Sequence, residues 1–495
     1  MQRDRSARSD IRAFDAVRAL AFIGDLSMGQ PTDHSPRTAW LALQLAQAAG
    51  AEAVACDTVR EASLLRWSGC TANAAGFADA LGDDIAGREA MLAMRPDWDE
   101  PMRQMQGGFG ATIQPLAQIH CEVSGEVART LGLAHATENT LRHIFEAWDG
   151  NGLPARMAGP QVPETVFMVA LAGDIEIFSR VYGLERALVL VSHRTDVRYP
   201  ARLVALACAH AQAWLNTLDT LQPREIDDAL LTQHMQQLTS LELIADVIDL
   251  KLPWMTGYSR EVAATAAACC ARLSLDRTAQ ERVYQAGLIH GIGRAAVSNA
   301  LWNMPGRLSA SAWEKVRLVP YWTSRAGKQT GTLEQAAELA SFAYERLDGT
   351  GYFRSAGNAA LPAEARVLAA SAAWVALRSP RPWREAMSPH AAAELLRAET
   401  AQGRFDTTVM DALLASGPAP TPSERYSARP PAVRLSAREI DVLRSISRGA
   451  SNKEAARELE LSPSTVRTHV ESVFRKLECS TRAAATLKAS GMGFL

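Results

Sequence analysis

The sequence predicts an all-α protein: two helical-bundle domains in tandem, then a small wingless domain of four short helices. Three observations carry this. Alanine and leucine dominate the chain before residue 417, and alternating β-branched runs are few. One motif occurs twice at an offset of 199, as Glu146-Ala-Trp-Asp-Gly-Asn-Gly-Leu-Pro154 and as Glu345-Arg-Leu-Asp-Gly-Thr-Gly-Tyr-Phe353. The C-terminal stretch breaks into four segments, each opened by a serine.

The chain begins Met-Gln-Arg-Asp-Arg-Ser, polar and without the apolar core of a signal peptide. No apolar run approaches the ~20 residues that span a bilayer. Seven cysteines (56, 70, 121, 208, 269, 270 and 479) form no C-x-x-C pair, which reads as reduced thiols in a cytosolic protein. The expectation is a cytoplasmic protein with no membrane partner. The formal net charge of −2 excludes a global basic field that would attract nucleic acid. From Arg434 to Leu495, however, eleven Lys/Arg face seven Asp/Glu, a modestly positive head on a neutral body.

The repeat extends upstream. His34-Ser aligns with Tyr258-Ser and Gly69 with Gly293, both at an offset of 224. The two offsets differ by 25, so the first copy carries an insertion of that size between residues 70 and 120, around Gly82 to Gly110. Copies of about 180 residues are duplicated domains, far longer than solenoid repeats. The expected division is 1–225 and 226–416 for the copies, with a helical, charged connection over 216–252. Five prolines in 417–431 then mark a linker, 417–432, that cannot continue a helix.

In the remaining segment, 433–495, Ser436 and Ser451 each stand three residues ahead of a glutamate, Glu439 and Glu454, the spacing of a capping box. Ser462 precedes Pro463, suited to the first helical position. Ser480 opens the last helix, and Gly449 and Gly491 mark stops. Ile440, Leu443 and Ile446, then Ala455, Ala456 and Leu459, then Val466, Val470, Val473 and Leu477 phase onto single faces. The third helix is left with Ser464, Thr465, Arg467, Thr468, Glu471 and Arg475 on its wet side. Such a face suits a major groove, although pattern alone leaves open a merely solvated surface.

Leu-Ser-Ala-Arg-Glu (435–439), Gly-Ala-Ser-Asn-Lys-Glu (449–454), Ser-Pro-Ser-Thr-Val-Arg-Thr-His-Val (462–470) and Arg-Lys-Leu (475–477) resemble the helix-turn-helix of LuxR/NarL-type transcription regulators. The resemblance implies that 462–477 is the recognition helix. It implies base-facing positions at Arg467, Thr468 and Glu471, backbone contacts from Lys453 and Lys476, and pairing of two modules through the fourth helix. His469 reads as packing or phosphate contact.

Residues 250–415, with Leu288-Ile-His-Gly-Ile-Gly-Arg294 and Asp348-Gly-Thr-Gly-Tyr352, are similar to the HD-GYP branch of HD-domain phosphohydrolases, and 30–215 more faintly so. Active members hold metal ions with His and Asp on the inner faces of a bundle and hydrolyse cyclic di-GMP through a metal-activated water. A bare cation at one imidazole binds weakly, so several ligands must converge. At the six principal positions the second copy has His290, Gly291, Val319, Ala343, Tyr344 and Ala372. The first has Arg66, Trp67, His120, Ile144, Phe145 and Asp174. Only His290, His120 and Asp174 survive as vestigial metal positions, so the expectation is a pseudo-enzyme with no metal and no cofactor. A site shifted onto His120, His143 and Asp174 stays open. The Asp-Gly-x-Gly turns are sufficiently explained by glycine's freedom at positive φ and aspartate's loop closure. Trp67 and Phe145 either line an apolar cavity for a small-molecule effector or fill the vacated site as core, and most other tryptophans are expected in the core.

The leading expectation is therefore a homodimeric regulator that binds double-stranded DNA, with inactive HD-type domains for sensing or dimerisation. The alternative is a metal-dependent cyclic di-GMP phosphodiesterase fused to a DNA-binding domain. A third is a pure interaction scaffold.

Overall fold

The computed structural model describes residues 9–98, 109–415 and 433–495. The expected linker at 417–432 and the first eight residues lie outside these. Helices make up nearly all regular structure. Among the described residues the strands are Asp10–Arg12 and Leu238–Ser240, paired in one two-stranded ribbon. No helix among the described residues is long and apolar enough to cross a membrane. The chain forms two compact units, Arg12–Leu238 and Thr239–Leu495, the second joined by residues 9–11.

In the first unit the helix Ala13–Ser27 is buried along its whole length. It packs with His34–Ala48 and Ala53–Leu65, and these two pack in turn on Glu164–Tyr182, buried from Val166 to Phe178. A helix enclosed on all sides must find partners for its polar groups inside. Asp25 does so by accepting from the Ser35 amide at 3.0 Å and the Ser35 hydroxyl at 2.6 Å. The expected insertion holds two short helices, Ala74–Leu81 and Asp84–Leu92. The connection is less continuous than expected: helix Pro223–Leu230, a 3-10 turn at His234–Gln236, then the strand.

The second unit repeats these local solutions. Asp249 accepts from the Ser259 amide at 2.8 Å and its hydroxyl at 2.7 Å, the offset of 224 carried into hydrogen bonds. The Asp-Gly-x-Gly turns recur at 199. Glu146 accepts from the amides of Ala155 (2.7 Å) and Met157 (3.0 Å), and Glu345 from those of Arg354 (2.8 Å) and Ala356 (3.0 Å). Two glycines set the closest helix approaches. A Cβ on Gly69 would stand 2.3 Å from the His120 carbonyl oxygen, and one on Gly293 would stand 1.9 Å from that of Val319. Tryptophan placement differs from expectation: only Trp40 and Trp67 are core, while Trp313 and Trp383 are exposed. Indole is too large to be enclosed often, and its polar edge tolerates water.

The four terminal helices are Ala437–Ser447, Asn452–Glu458, Pro463–Leu477 and Arg482–Gly491, closed over Val442, Leu443, Ile446, Val466, Val470 and Val473. Val442 takes the core place expected of Ile440, which is half-buried. Both capping boxes form, and Ser462 accepts from the Thr465 amide at 3.0 Å with Pro463 in the first turn. The last helix is capped by Thr481 rather than Ser480 and stops at Gly491 as expected, with a left-handed turn at Gly493 beyond it. Thr481 has the extended backbone a cap requires and a hydroxyl that accepts from the Ala484 amide.

Glu439 ties this domain together. Its carboxylate accepts from the Ser436 amide at 2.7 Å, from the Ser472 hydroxyl at 2.8 Å, and from the Lys476 ammonium at 2.7 and 2.8 Å. Burial alone would push its pKa up from the ordinary 4.5, but the bonds from Lys476, Ser436 and Ser472 outweigh that and hold it at about 2.

Two outcomes follow. Gly293→Ala should lower the stability of its unit by about 1–3 kcal/mol, because a backbone carbonyl must move, read as a drop in the urea midpoint. Glu439 is a depressed acid, so its stabilisation is whole above pH 4.5 and is lost as pH falls toward 2. Glu439→Gln should therefore weaken amide protection across 437–477 at neutral pH, and the gap from the parent should close over that acid range.

Candidate nucleic-acid interface and buried centres

Helix Pro463–Leu477 is fixed at both ends before any ligand arrives. Ser462 closes its N-terminus. At the other end Lys488, itself buried, donates from Nζ to the carbonyls of Leu477 at 2.8 Å and Glu478 at 3.1 Å, a cation where the helix dipole favours one. Arg482 latches the preceding turn through the Ala450 carbonyl and Asn452 Oδ1, each at 2.9 Å. Lys488 and Arg482 were not singled out from the sequence. Basic residues on a terminal helix look the same whether they serve phosphate or a helix end.

Ser464, Thr465, Arg467, Thr468, Glu471 and Arg475 all lie exposed on this helix. Arg467 Nε sits 2.8 Å from Glu471 Oε1, with the two side chains 75% and 63% exposed, so water or a base edge can replace that pair at small cost. Lys453 is exposed, and His469 is half-buried at the core edge. Lys476 stands apart: its ammonium is held on Glu439 instead of projecting with Arg475. One helical step turns it toward the first helix.

At the centre of the second unit, His290 donates from Nδ1 to the Gly287 carbonyl at 2.6 Å and accepts at Nε2 from Arg294 Nη2 at 2.7 Å. Burial, then the Arg294 charge, push the imidazole down to about 3, so it is neutral as this pattern requires. Arg294 also reaches Asp249 at 3.2 Å and the Tyr344 hydroxyl at 3.4 Å. Burial lifts the Asp249 carboxyl to about 6 against the pull of Arg294. Val319, Ala343 and Ala372 are buried apolar neighbours, and Tyr344 stacks on Tyr352 with centroids 5.2 Å apart.

The first unit holds a cavity of about 440 Å³. Trp67 and Phe145, singled out from the sequence, meet there with centroids 6.3 Å apart, and His120 lies over Phe145 at 4.7 Å. His120 Nε2 donates to the Arg66 carbonyl at 2.7 Å, and burial pushes the ring down to about 3. Asp174 accepts from Arg194 at 2.7 Å and from the Tyr199 hydroxyl, with Arg198 at 3.5 Å. The Arg66 guanidinium lies 4.1 Å above Trp67, in space that Gly173 vacates: a Cβ there would stand 1.5 Å from its Nη1. Arg88, Arg194 and Arg198 were missed by sequence reading, which carries no local signal for their convergence.

These groups do not fit a metal. His290 gives its one lone pair to Arg294, and Asp174 is engaged by two arginines. His143 binds the Asn139 carbonyl at 2.9 Å and does not line the cavity, so the shifted His120–His143–Asp174 site is not assembled. No group of three or more His, Cys, Asp or Glu able to hold an ion occurs among the described residues.

Comparison with known proteins assigns both regions. Residues 242–409 match the HD domain family and residues 433–489 the luxR family of bacterial regulatory proteins. The 3'3'-cGAMP-specific phosphodiesterase 3 of Vibrio cholerae is 23% identical over 73% of this chain and 85% of its own length. The probable transcriptional regulatory protein NarL of Mycobacterium tuberculosis is 49% identical over 13% of this chain and 30% of its own length. The crystal structure of a cyclic GMP-AMP specific phosphodiesterase of V. cholerae shares the fold over 82% of this chain and 97% of that one, at a TM-score of 0.59 and 20% identity. These relatives overturn the pseudo-enzyme expectation. One protein named as a phosphodiesterase matches 73% of this chain and another 45%, and missing ligands counted one position at a time do not outweigh likeness on that scale. The chain joins an HD phosphohydrolase-like domain to a C-terminal LuxR-type DNA-binding domain.

Proposed function

We propose that the protein is a cytoplasmic, homodimeric transcription regulator. Its terminal domain binds double-stranded DNA, and its HD-type body senses a small-molecule effector. One observation carries the reading: Arg467, Thr468 and Glu471 share an exposed face of a helix whose two ends are already closed by Ser462 and Lys488. A rigid, short helix with a bidentate-capable arginine suits a major groove, while Ser464, Thr465, Lys453 and Arg475 flank it for phosphate. The proposed division is two HD-type copies at 1–225 and 226–416, a linker at 417–432 and the DNA-binding domain at 433–495. The hydrogen bonds that recur at offsets of 224 and 199 support the duplication.

Helix Arg482–Gly491, the element through which LuxR-type modules pair, rests here on helix Glu242–Asp249 of the HD-type region, and Thr256 Oγ1 lies 2.8 Å from the Ser447 carbonyl oxygen. Pairing through that helix requires this contact to open. An effector that favours one arrangement shifts the population of DNA-competent dimers.

Selection of bound duplexes from a random pool with the full chain should return a two-fold symmetric site, with affinity falling steeply as salt rises. On that site Arg467→Ala should cost about 1–3 kcal/mol and relax base preference, and parental binding by this variant would refute the assigned face.

A second reading, turnover of a cyclic dinucleotide, is favoured by relatives named as 3'3'-cGAMP-specific and cyclic di-GMP phosphodiesterases. Incubation with each dinucleotide and divalent metal, followed by chromatography, tests it: linear product supports the reading and intact dinucleotide refutes it.

A further inference from the structure

We propose that the cavity in the unit Arg12–Leu238 is a binding site for a small planar aromatic anion. Its walls and its charge point to the same ligand. Trp67, Phe77 and Phe145 line it, one face of Trp67 and one of Phe77 already covered by Arg66 and Arg88, and Met28 and Leu153 add apolar contact. Flat aromatic walls select a flat guest, because offset or edge contacts with a π-system are gained along its whole surface. Four arginines line the cavity: Arg88 has Asp84 at 4.0 Å and Arg95 pairs with Glu89 and Asp97, while Arg194 and Arg198 share the single carboxylate of Asp174. The end at Arg194 and Arg198 therefore keeps one uncompensated positive charge, which rejects a cation and leaves a neutral hydrocarbon without a partner for it.

Two buried donors remain for a guest to satisfy. Trp67 is 2% exposed, and its Nε1–H has no hydrogen-bond partner among the described residues. Arg88 is fully buried with its guanidinium 4.4 Å above the Phe77 ring. Its Nη atoms are spent on the Ser27 and Cys70 carbonyls and Asn73, while Nε has no partner. Unsatisfied buried donors are costly, so a guest oxygen that reaches them is favoured twice, by charge and by desolvation already met. Size is consistent with this class: about 440 Å³ lies in the lower part of the range of small-molecule pockets, room for one bicyclic aromatic acid.

The inference rests on the effector-sensing half of the proposed function and stands apart from DNA binding, so either can fail alone. The probe is 2-naphthoate, titrated into the full chain by calorimetry beside its neutral counterpart 2-naphthalenemethanol. Naphthoate should bind saturably and raise the melting temperature with concentration, and the alcohol should bind roughly tenfold more weakly or worse. Met91 lines the cavity, half-buried, and Met91→Trp should fill it and weaken naphthoate by about tenfold or more, with the parental melting temperature and DNA affinity retained. Should that variant not fold, quenching of Trp67 emission by naphthoate in the parent, absent from Trp67→Phe, reads the same site. Equal affinity for acid and alcohol, unchanged binding to the filled variant, quenching that survives Trp67→Phe, or no binding at millimolar naphthoate each overturns the proposal.

Discussion

Each unit is organised around charge that it encloses and must balance. In the second, Arg294 lies between Asp249, His290 and Tyr344, and the imidazole stays neutral because a guanidinium already donates to it. In the first, Asp174 gathers Arg194, Arg198 and Tyr199 while Arg66 lies across Trp67. Removing one member of such a cluster strands the others without water, which costs more than the pair contributes. The surrounding helices are held in register by that penalty. Asp25 and Asp249 extend the same logic, each clamping the next helix through a serine amide and hydroxyl. The polar interior is therefore a positioning device, and the apolar residues around it complete the packing.

The DNA-binding domain solves the opposite problem. It is too small to bury much, so its geometry depends on closing helix ends. Glu439 illustrates the economy: one carboxylate completes a capping box, fixes Ser472, and holds Lys476 on the inner flank of helix Pro463–Leu477. On the proposed reading the exposed face gains from this, because Arg467 and Thr468 project from a helix that does not need to reorganise on contact.

What could be read from the sequence follows the range of the forces involved. Caps at Ser436, Ser451 and Ser462 act within four residues, and their residue types announce them. The buried stripe Val466, Val470, Val473 and Leu477 is periodic, and so is equally legible. The repeat offsets were legible as well, since Glu146 and Glu345 need glycine-rich turns for their amide clamps and those turns are conspicuous. Ser480 against Thr481 was lost because two adjacent hydroxyls are equivalent until the backbone chooses. The cavity was half-read. Trp67 and Phe145 stood at positions where a metal ligand was expected, but Arg88, Arg194 and Arg198 reach it from separate helices and turns, through contacts no local pattern encodes. The non-enzyme expectation failed for a related reason: it scored single positions, whereas kinship of the body is distributed over several hundred weakly matching residues.

On the proposed reading, an effector in the first unit alters DNA affinity only by binding two arrangements of the chain unequally, and the coupling is limited to that difference, typically about 1–3 kcal/mol. The second unit contains an element with two exclusive places. Helix Arg482–Gly491 cannot lie on Glu242–Asp249 and also face its twin in a paired module. The contact with Glu242–Asp249 is small, so on this reading modest differential binding suffices to open it. Linkage then runs both ways: DNA that captures the paired state must tighten the effector by the same factor with which the effector tightens DNA.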